Sequence, residues 1–252
     1  MDRGSNDEGG ASGYNRPRRP NPETINYLRG LPLSVEASKA EVASFLTKKK
    51  DGSQEQEEFP QSLAAALSAI DEVRMEIASL AGDEHGSQCV EILAHISAPY
   101  SETAARVLLS ACSGYHLHLA THRYGSHVVQ TILQLAVSSS SEEDLALHNE
   151  APPFGNYVHS LPSLSELVLG MMEELNSSVS QLAIHVCGSH VLRTLLCVMA
   201  GVDLVSSGPS HDHNNSKMDA GAMHLRGKKK PKKKKKKPTG DDSTSSSTSH
   251  AG

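Results

Sequence analysis

Tryptophan is absent from the 252-residue chain, and aromatic residues make up only 4% of it. Apolar content as a whole is modest at 37%, and it is unevenly placed. Ser, Gly and charged residues dominate 1–58 and 206–252, so neither end can bury enough apolar surface to offset its ordering entropy. Residues 1–58 are therefore read as a disordered leader and linker, with a short helix opening at Asn21-Pro22-Glu23-Thr24 and running through Leu28, and 206–252 as a disordered tail. That leaves 59–205, about 150 residues, as one foldable unit. Long apolar runs are missing too. Stretches such as Thr194–Val202 fall far short of the ~18 residues that span a bilayer, and no apolar run comes after Met1-Asp2-Arg3-Gly4. No membrane partner and no secretory signal are expected. The four cysteines (Cys89, Cys112, Cys187, Cys197) form no CxxC and read as buried small hydrophobes in a reducing compartment. No GxSxG, P-loop, HExxH or paired catalytic carboxylate motif occurs, so an enzyme is not expected. His116, His118, His122 and His127 read as ordinary helix-break and stacking histidines, so neither a metal nor another cofactor is assigned.

Charge is split along the chain. Arg226 and nine lysines give 226–238 a charge of +10, whereas 1–225 hold 14 basic against 27 acidic residues. Such a block repels itself and stays solvated. Lys228, Lys229, Lys230 and Lys232 through Lys237 (Lys233, Lys234, Lys235 and Lys236 between them) fit a nuclear or nucleolar targeting segment.

Helical periodicity dominates 59–205. Leu63, Leu67, Ile70, Val73, Ile77 and Leu80 recur in steps of three and four, one stripe on a single helix that Gly82 stops. A second helix is expected from Ser87 to about Ile96. The layout then recurs: helix 101–112, a short segment His116–His122, and a helix from Gly125; then helix 163–175, a short segment 179–186, and a helix from Gly188. No sustained strand alternation interrupts it, so the class is all-α. The repeat units are 61–97, 101–137 and 163–201. Gly86, Gly125 and Gly188 are 39 and 63 residues apart. The first step is a normal helical-repeat period, and the excess in the second is a polar loop insertion at 138–161.

Each of these glycines is followed by Ser. The local reading is punctuation: Gly at a break with positive φ, then Ser as N-cap. The residues beyond the Ser add a second pattern. Positions 1, 2 and 5 of the helices are Ser87, Gln88 and Glu91; Ser126, His127 and Gln130; Ser189, His190 and Arg193. Spacings of one and four place them on neighbouring turns of one face. Positions 3 and 4 (Cys89-Val90, Val128-Val129, Val191-Leu192) should face the core. A polar triplet recurring once per helical repeat is what a one-base-per-repeat RNA reader requires.

At these residues the chain resembles the Pumilio (PUF) repeat family, most closely in Tyr124-Gly125-Ser126-His127-Val128-Val129-Gln130, then in 183–196 and 83–93. The resemblance is closer still to the nucleolar branch, the nucleolar protein 9 family. It is carried by Asn21-Pro22-Glu23-Thr24-Ile25-Asn26-Tyr27-Leu28 and by Ala111-Cys112-Ser113-Gly114-Tyr115 through His127. It covers 21–30 and 60–200, with 138–161 unmatched. The likeness implies an α-solenoid that binds single-stranded RNA, namely pre-rRNA, in the nucleus and nucleolus during small-subunit biogenesis, alongside pre-ribosomal particle proteins. It also implies that Ser126 and Gln130 contact a base edge in the adenine-favouring way, and Ser87 and Glu91 in the guanine-favouring way. His127 and His190 would stack between bases, and Gln88 more weakly. Arg193 departs from the usual fifth-position residues, so the base preference set with Ser189 stays open. With three repeats, the sequence looks like the N-terminal part of a larger protein, expected to be monomeric.

A protein-binding scaffold of the HEAT or armadillo type is the alternative, because 59–205 hold four basic against 15 acidic residues. Phosphate neutralisation supplies much of RNA affinity. An RNA reader with this composition must keep its acids on the face away from the triplets.

Overall fold

Residues 15–50, 58–138 and 154–201 are described by a computed structural model. The Lys-rich segment and the rest of the expected tail beyond 201 lie outside the described residues, as does the first part of the insertion. Among the described residues all regular structure is helical, and no helix is long and apolar enough to cross a membrane.

Beyond the short helix expected at Asn21, the N-terminal segment departs from the expected disordered leader. Helix α1 spans Pro22–Gly30; Asn21 caps it by accepting from the Glu23 N–H, and Pro22 starts it. Helix α2 spans Val35–Lys50. Its buried side is Ser38, Val42 and Phe45, spaced for one helix face but interrupted by a serine, which hid the stripe in the sequence. Leu28, Val42 and Phe45 all join the central core. The pinning contacts are polar. Glu76 accepts from the Asn21 N–H (3.2 Å) and the Thr24 hydroxyl (3.3 Å). A hydrogen bond to Glu72, then burial, then the Glu72 charge push the Tyr27 hydroxyl pKa up to about 12.

The first unit holds α3 (Gln61–Val73), α4 (Ile77–Ala81) and α5 (Glu84–Ser97). The single stripe expected from Leu63 to Leu80 is thus split between two helices, with Met75 exposed at the break. The three- and four-residue steps run unbroken across it, because both helices bury the same side and periodicity alone does not register a change of axis. Pro60 offers α3 no side-chain cap. Glu41 of α2 supplies one, accepting from the Gln61 N–H (2.6 Å), the Ser62 N–H (3.2 Å) and the Ser62 hydroxyl.

The second unit is α6 (Glu102–Ala111), α7 (His116–Thr121) and α8 (Gly125–Ser138). Ser101 caps α6, and Gly114 makes the turn after it with φ of +81°, a backbone region that favours glycine. The third unit is α9 (Leu164–Asn176), α10 (Val179–Ile184) and α11 (Gly188–Met199). Its first helix opens with a capping box, Ser163 and Glu166 bonding each other's backbone N–H.

Helices stack in two layers. In one, α6 packs between α3 and α9; in the other, α8 packs between α5 and α11. Helices α1 and α2 cover α5 on its other side. On the third unit, by contrast, Ile184, Val186 and Leu196 stand exposed at 88%, 81% and 66%.

The end of the expected loop insertion is ordered against the repeats, which corrects its reading as a plain surface loop. A 3₁₀ turn at Asn156–Ser160 sets the Tyr157 hydroxyl on Asp71 of α3 (2.5 Å), with the Arg74 guanidinium 4.4 Å from its ring centre. Arg106 of α6 donates to the Pro162 (2.8 Å) and Leu161 (2.5 Å) carbonyls. Arg74 and Arg106, two of the few basic residues in 59–205, are thereby engaged in folding.

Candidate nucleic-acid interface

The three triplets start on α5, α8 and α11, the helices of one layer, so side-by-side packing brings them into register. Positions 3 and 4 face the core as expected: Val90, Val128 and Val191 are 0% exposed, Val129 1% and Cys89 8%. Leu192 is partly buried. Position 2 faces outward in every unit: Gln88, His127 and His190 are all exposed. At position 5, Glu91 and Gln130 are half-buried and Arg193 is exposed.

Position 1 departs from the sequence reading. Ser87 and Ser126 are buried, and Ser189 is half-buried. None of the three caps its helix. Each hydroxyl donates back along the chain to a carbonyl three residues earlier: Ser87 to Glu84 (3.1 Å), Ser126 to Arg123 (3.4 Å), Ser189 to Val186 (3.3 Å). Gln130 is folded back along its own helix, its amide donating to the Ser126 carbonyl at 2.8 Å.

The capping role belongs three residues ahead of each glycine. Asp83 Oδ1 accepts from the His85 and Gly86 N–H groups at 2.9 Å. His122 Nδ1 accepts from Tyr124 and Gly125 at 3.4 Å, and His185 Nδ1 from Cys187 and Gly188 at 3.2 Å. The glycines serve close packing, not positive φ. A Cβ on Gly86 would stand 2.6 Å from the Leu80 carbonyl oxygen, one on Gly125 3.0 Å from the Leu119 Cα, and one on Gly188 3.1 Å from the Leu182 carbonyl oxygen. Each short helix therefore crosses the start of the triplet helix too closely for a side chain. The three caps were detectable as the common offset in Asp83-Glu84-His85-Gly86, His122-Arg123-Tyr124-Gly125 and His185-Val186-Cys187-Gly188.

Adjacent triplets influence one another. Burial raises the Glu91 pKa, and the positive charge available on His127 of the next unit pulls it back. Around the second triplet, the His118 and His122 rings lie 5.5 Å apart, the His122 and Tyr124 rings 5.8 Å apart, and the Arg123 guanidinium stands 4.5 Å from the Tyr124 ring centre. These flat groups, absent from the sequence-derived set, precede the start of α8.

Among the described residues acids occur in both layers. Asp71 and Glu72 belong to α3, Glu102 to α6, and Glu166, Glu173 and Glu174 to α9. In the triplet layer only α5 carries acids, Glu84 and Glu91.

Two stacked helix layers, a repeated close crossing at glycine and an outward polar side chain at each helix start define an α-helical repeat solenoid. The chain belongs to the NOP9-like PUF repeat domain family, whose model matches residues 76–251. It is similar to Nucleolar protein 9 of Komagataella phaffii, at 30% identity over 130 residues, 51% of this chain and 20% of the relative. Nucleolar protein 9 of Pyrenophora teres f. teres is 29% identical over 134 residues, 52% and 19% of the two chains. That of Kluyveromyces lactis is 29% identical over 151 residues, 60% and 21%. The chain thus spans about a fifth of the length of these curated relatives. No solved structure matches it.

Proposed function

We propose that this chain is an RNA-binding Pumilio-like module of a nucleolar factor, acting on pre-rRNA in small-subunit biogenesis. The observation that carries the reading is the outward register of Gln88, His127 and His190 on three adjacent helices. Flat or amide side chains so placed can stack on successive bases of a single strand. Glu91, Gln130 and Arg193, one turn further on, are the base-edge groups of this reading. Gln130 must swing from the Ser126 carbonyl to meet a base, and Ser87 and Ser126 act mainly by holding the helix start. The name of the relatives and the lysines of 228–237 support a nucleolar address.

Filter binding of single-stranded RNA by the intact chain across a salt series tests the reading. The double change His127→Ala with Gln130→Ala should weaken binding roughly ten- to thousand-fold, from about 1–3 kcal/mol of stacking and about 0.5–1.5 kcal/mol of hydrogen bonding. Binding equal to wild type would overturn it.

A second reading, a protein-binding helical scaffold, is favoured by the exposed Ile184, Val186 and Leu196 on the third unit. It predicts no RNA binding by the repeats at any salt concentration.

A further inference from the structure

The first residues described, Asn15 to Pro20, have no regular secondary structure and form a strap across the junction of the first two units. At one end, Asn15 lies against Gly114, at the break between α6 and α7: its side-chain nitrogen would stand 3.8 Å from a Cβ there. At the other, Asn21 and Thr24 are held by Glu76. Between these anchors Pro17 and Pro20 stiffen the backbone, so that Arg16, Arg18 and Arg19 are displayed with little left to order on binding. Strap and repeats line an open cleft of about 480 Å³, bordered by those three arginines together with His118 and His122. The lining carboxylate is Asp83, whose Oδ1 is engaged by two backbone N–H groups as the cap of α5.

In a chain that is acidic through residue 225, this is a local concentration of guanidinium groups with no equal number of acids. Guanidinium forks match the oxygens of a phosphate, and imidazoles add donors beside them. The cleft touches the caps of both α5 and α8, from which the first two triplets begin. We propose that the Arg16–Arg18–Arg19 strap and the His118–His122 pair form a phosphate pocket that holds a backbone phosphate of the bound RNA strand at the junction of the first and second units. The assignment of the phosphate to RNA rests on the function proposed above; the pocket as an anion site does not. Burial lowers the pKa of both histidines, and the Arg16 charge lowers it further, so the guanidinium acts on both rings. A phosphate seated between them would neutralise that effect. The pocket also supplies positive charge that 59–205 lacks.

The test uses the full chain, its imidazole NMR resonances, and two probes: inorganic phosphate and a short single-stranded RNA. Both probes should shift His118 and His122. The variant Arg16→Gln/Arg18→Gln/Arg19→Gln should abolish the shifts with helicity intact. It should also lower the magnitude of the slope of log K against log salt by about 0.7, the loss of one single-strand phosphate contact, equally for every RNA sequence. The corresponding triple Lys variant should keep the slope. His127→Ala/Gln130→Ala should show the opposite signature, an altered base preference with the slope and the phosphate shifts retained. The pocket is overturned if phosphate moves neither imidazole, or if the Gln variant keeps the wild-type slope. A response to phosphate but none to RNA would leave an anion site and overturn its assignment to RNA.

Discussion

His116 donates from Nδ1 to Glu174 at 2.7 Å, and this pair joins the second unit to the third. The same carboxylate accepts the N–H groups of Gly114 (3.0 Å) and Leu117 (3.4 Å), at the turn where α6 gives way to α7. Burial raises the Glu174 pKa, but the His116 hydrogen bond and charge and the two backbone donors outweigh it and hold the carboxyl below its usual value. Glu174→Gln keeps the shape and removes the charge, and a hydrogen bond to a charged group is worth about 1.5–3 kcal/mol. Urea unfolding should show a loss of that order. The neighbouring exposed Glu173→Gln should change stability by less than about 0.5 kcal/mol. Equal effects would mean that the pair does not couple the units.

Two glycine substitutions should act in opposite directions. Gly125→Ala sets a methyl 3.0 Å from Leu119 backbone atoms, which cannot yield without moving α7, and overpacking of this kind costs about 1–3 kcal/mol. Gly170→Ala, within α9, meets nothing within 4 Å and should stabilise by about 0.5–1 kcal/mol through helix propensity. Thermal midpoints of the two variants decide the matter; a shift of the same sign for both would contradict a crossing that excludes side chains at Gly125.

Acid should destabilise the fold in two steps. His122 caps α8 through an unprotonated Nδ1, and its folded pKa is lowered from 6.5 by burial, then Arg16, then Arg123. Its contribution is present above 6.5 and is lost as pH falls through the depressed folded value. Glu41 is lowered from 4.5, burial being outweighed by bonds from Ser62 and Gln61, so its contribution is present above 4.5 and lost further into acid. His122→Asp, which copies Asp83 of the first unit, should keep the cap and shrink the first step. Unfolding free energy measured across this pH range should show it; an unchanged profile would argue against the histidine cap.

Cysteine reactivity should follow burial. Cys112 is 0% exposed, and its thiol is pushed up to about 12 by burial and the Glu174 charge. It should resist maleimide at neutral pH in the folded chain and react on unfolding, whereas the half-buried Cys187 and Cys197 react first.

A reporter fused to residues 222–240 should enter the nucleus and concentrate in the nucleolus, as its +10 block implies. An evenly cytoplasmic signal would remove the basis for the targeting assignment.

Properties set by spacing within one helix were open to the sequence alone. Steps of three and four decide which side of a helix is buried, so the helical class, the three-unit register, the inward Val128 and Val129 and the outward His127 followed without coordinates. What depends on residues distant in the chain did not. Helix α2 belongs to the fold because Glu41 reaches Ser62, and the end of the insertion is ordered because Arg106 reaches Leu161. The triplet's first position illustrates the same limit. The order Gly-Ser suits a cap, but only the approach of Leu119 to Gly125 shows that the glycine serves packing. That crossing leaves Ser126 buried and the capping to His122. Periodicity records which side of a helix is buried; only the fold decides what lies against it.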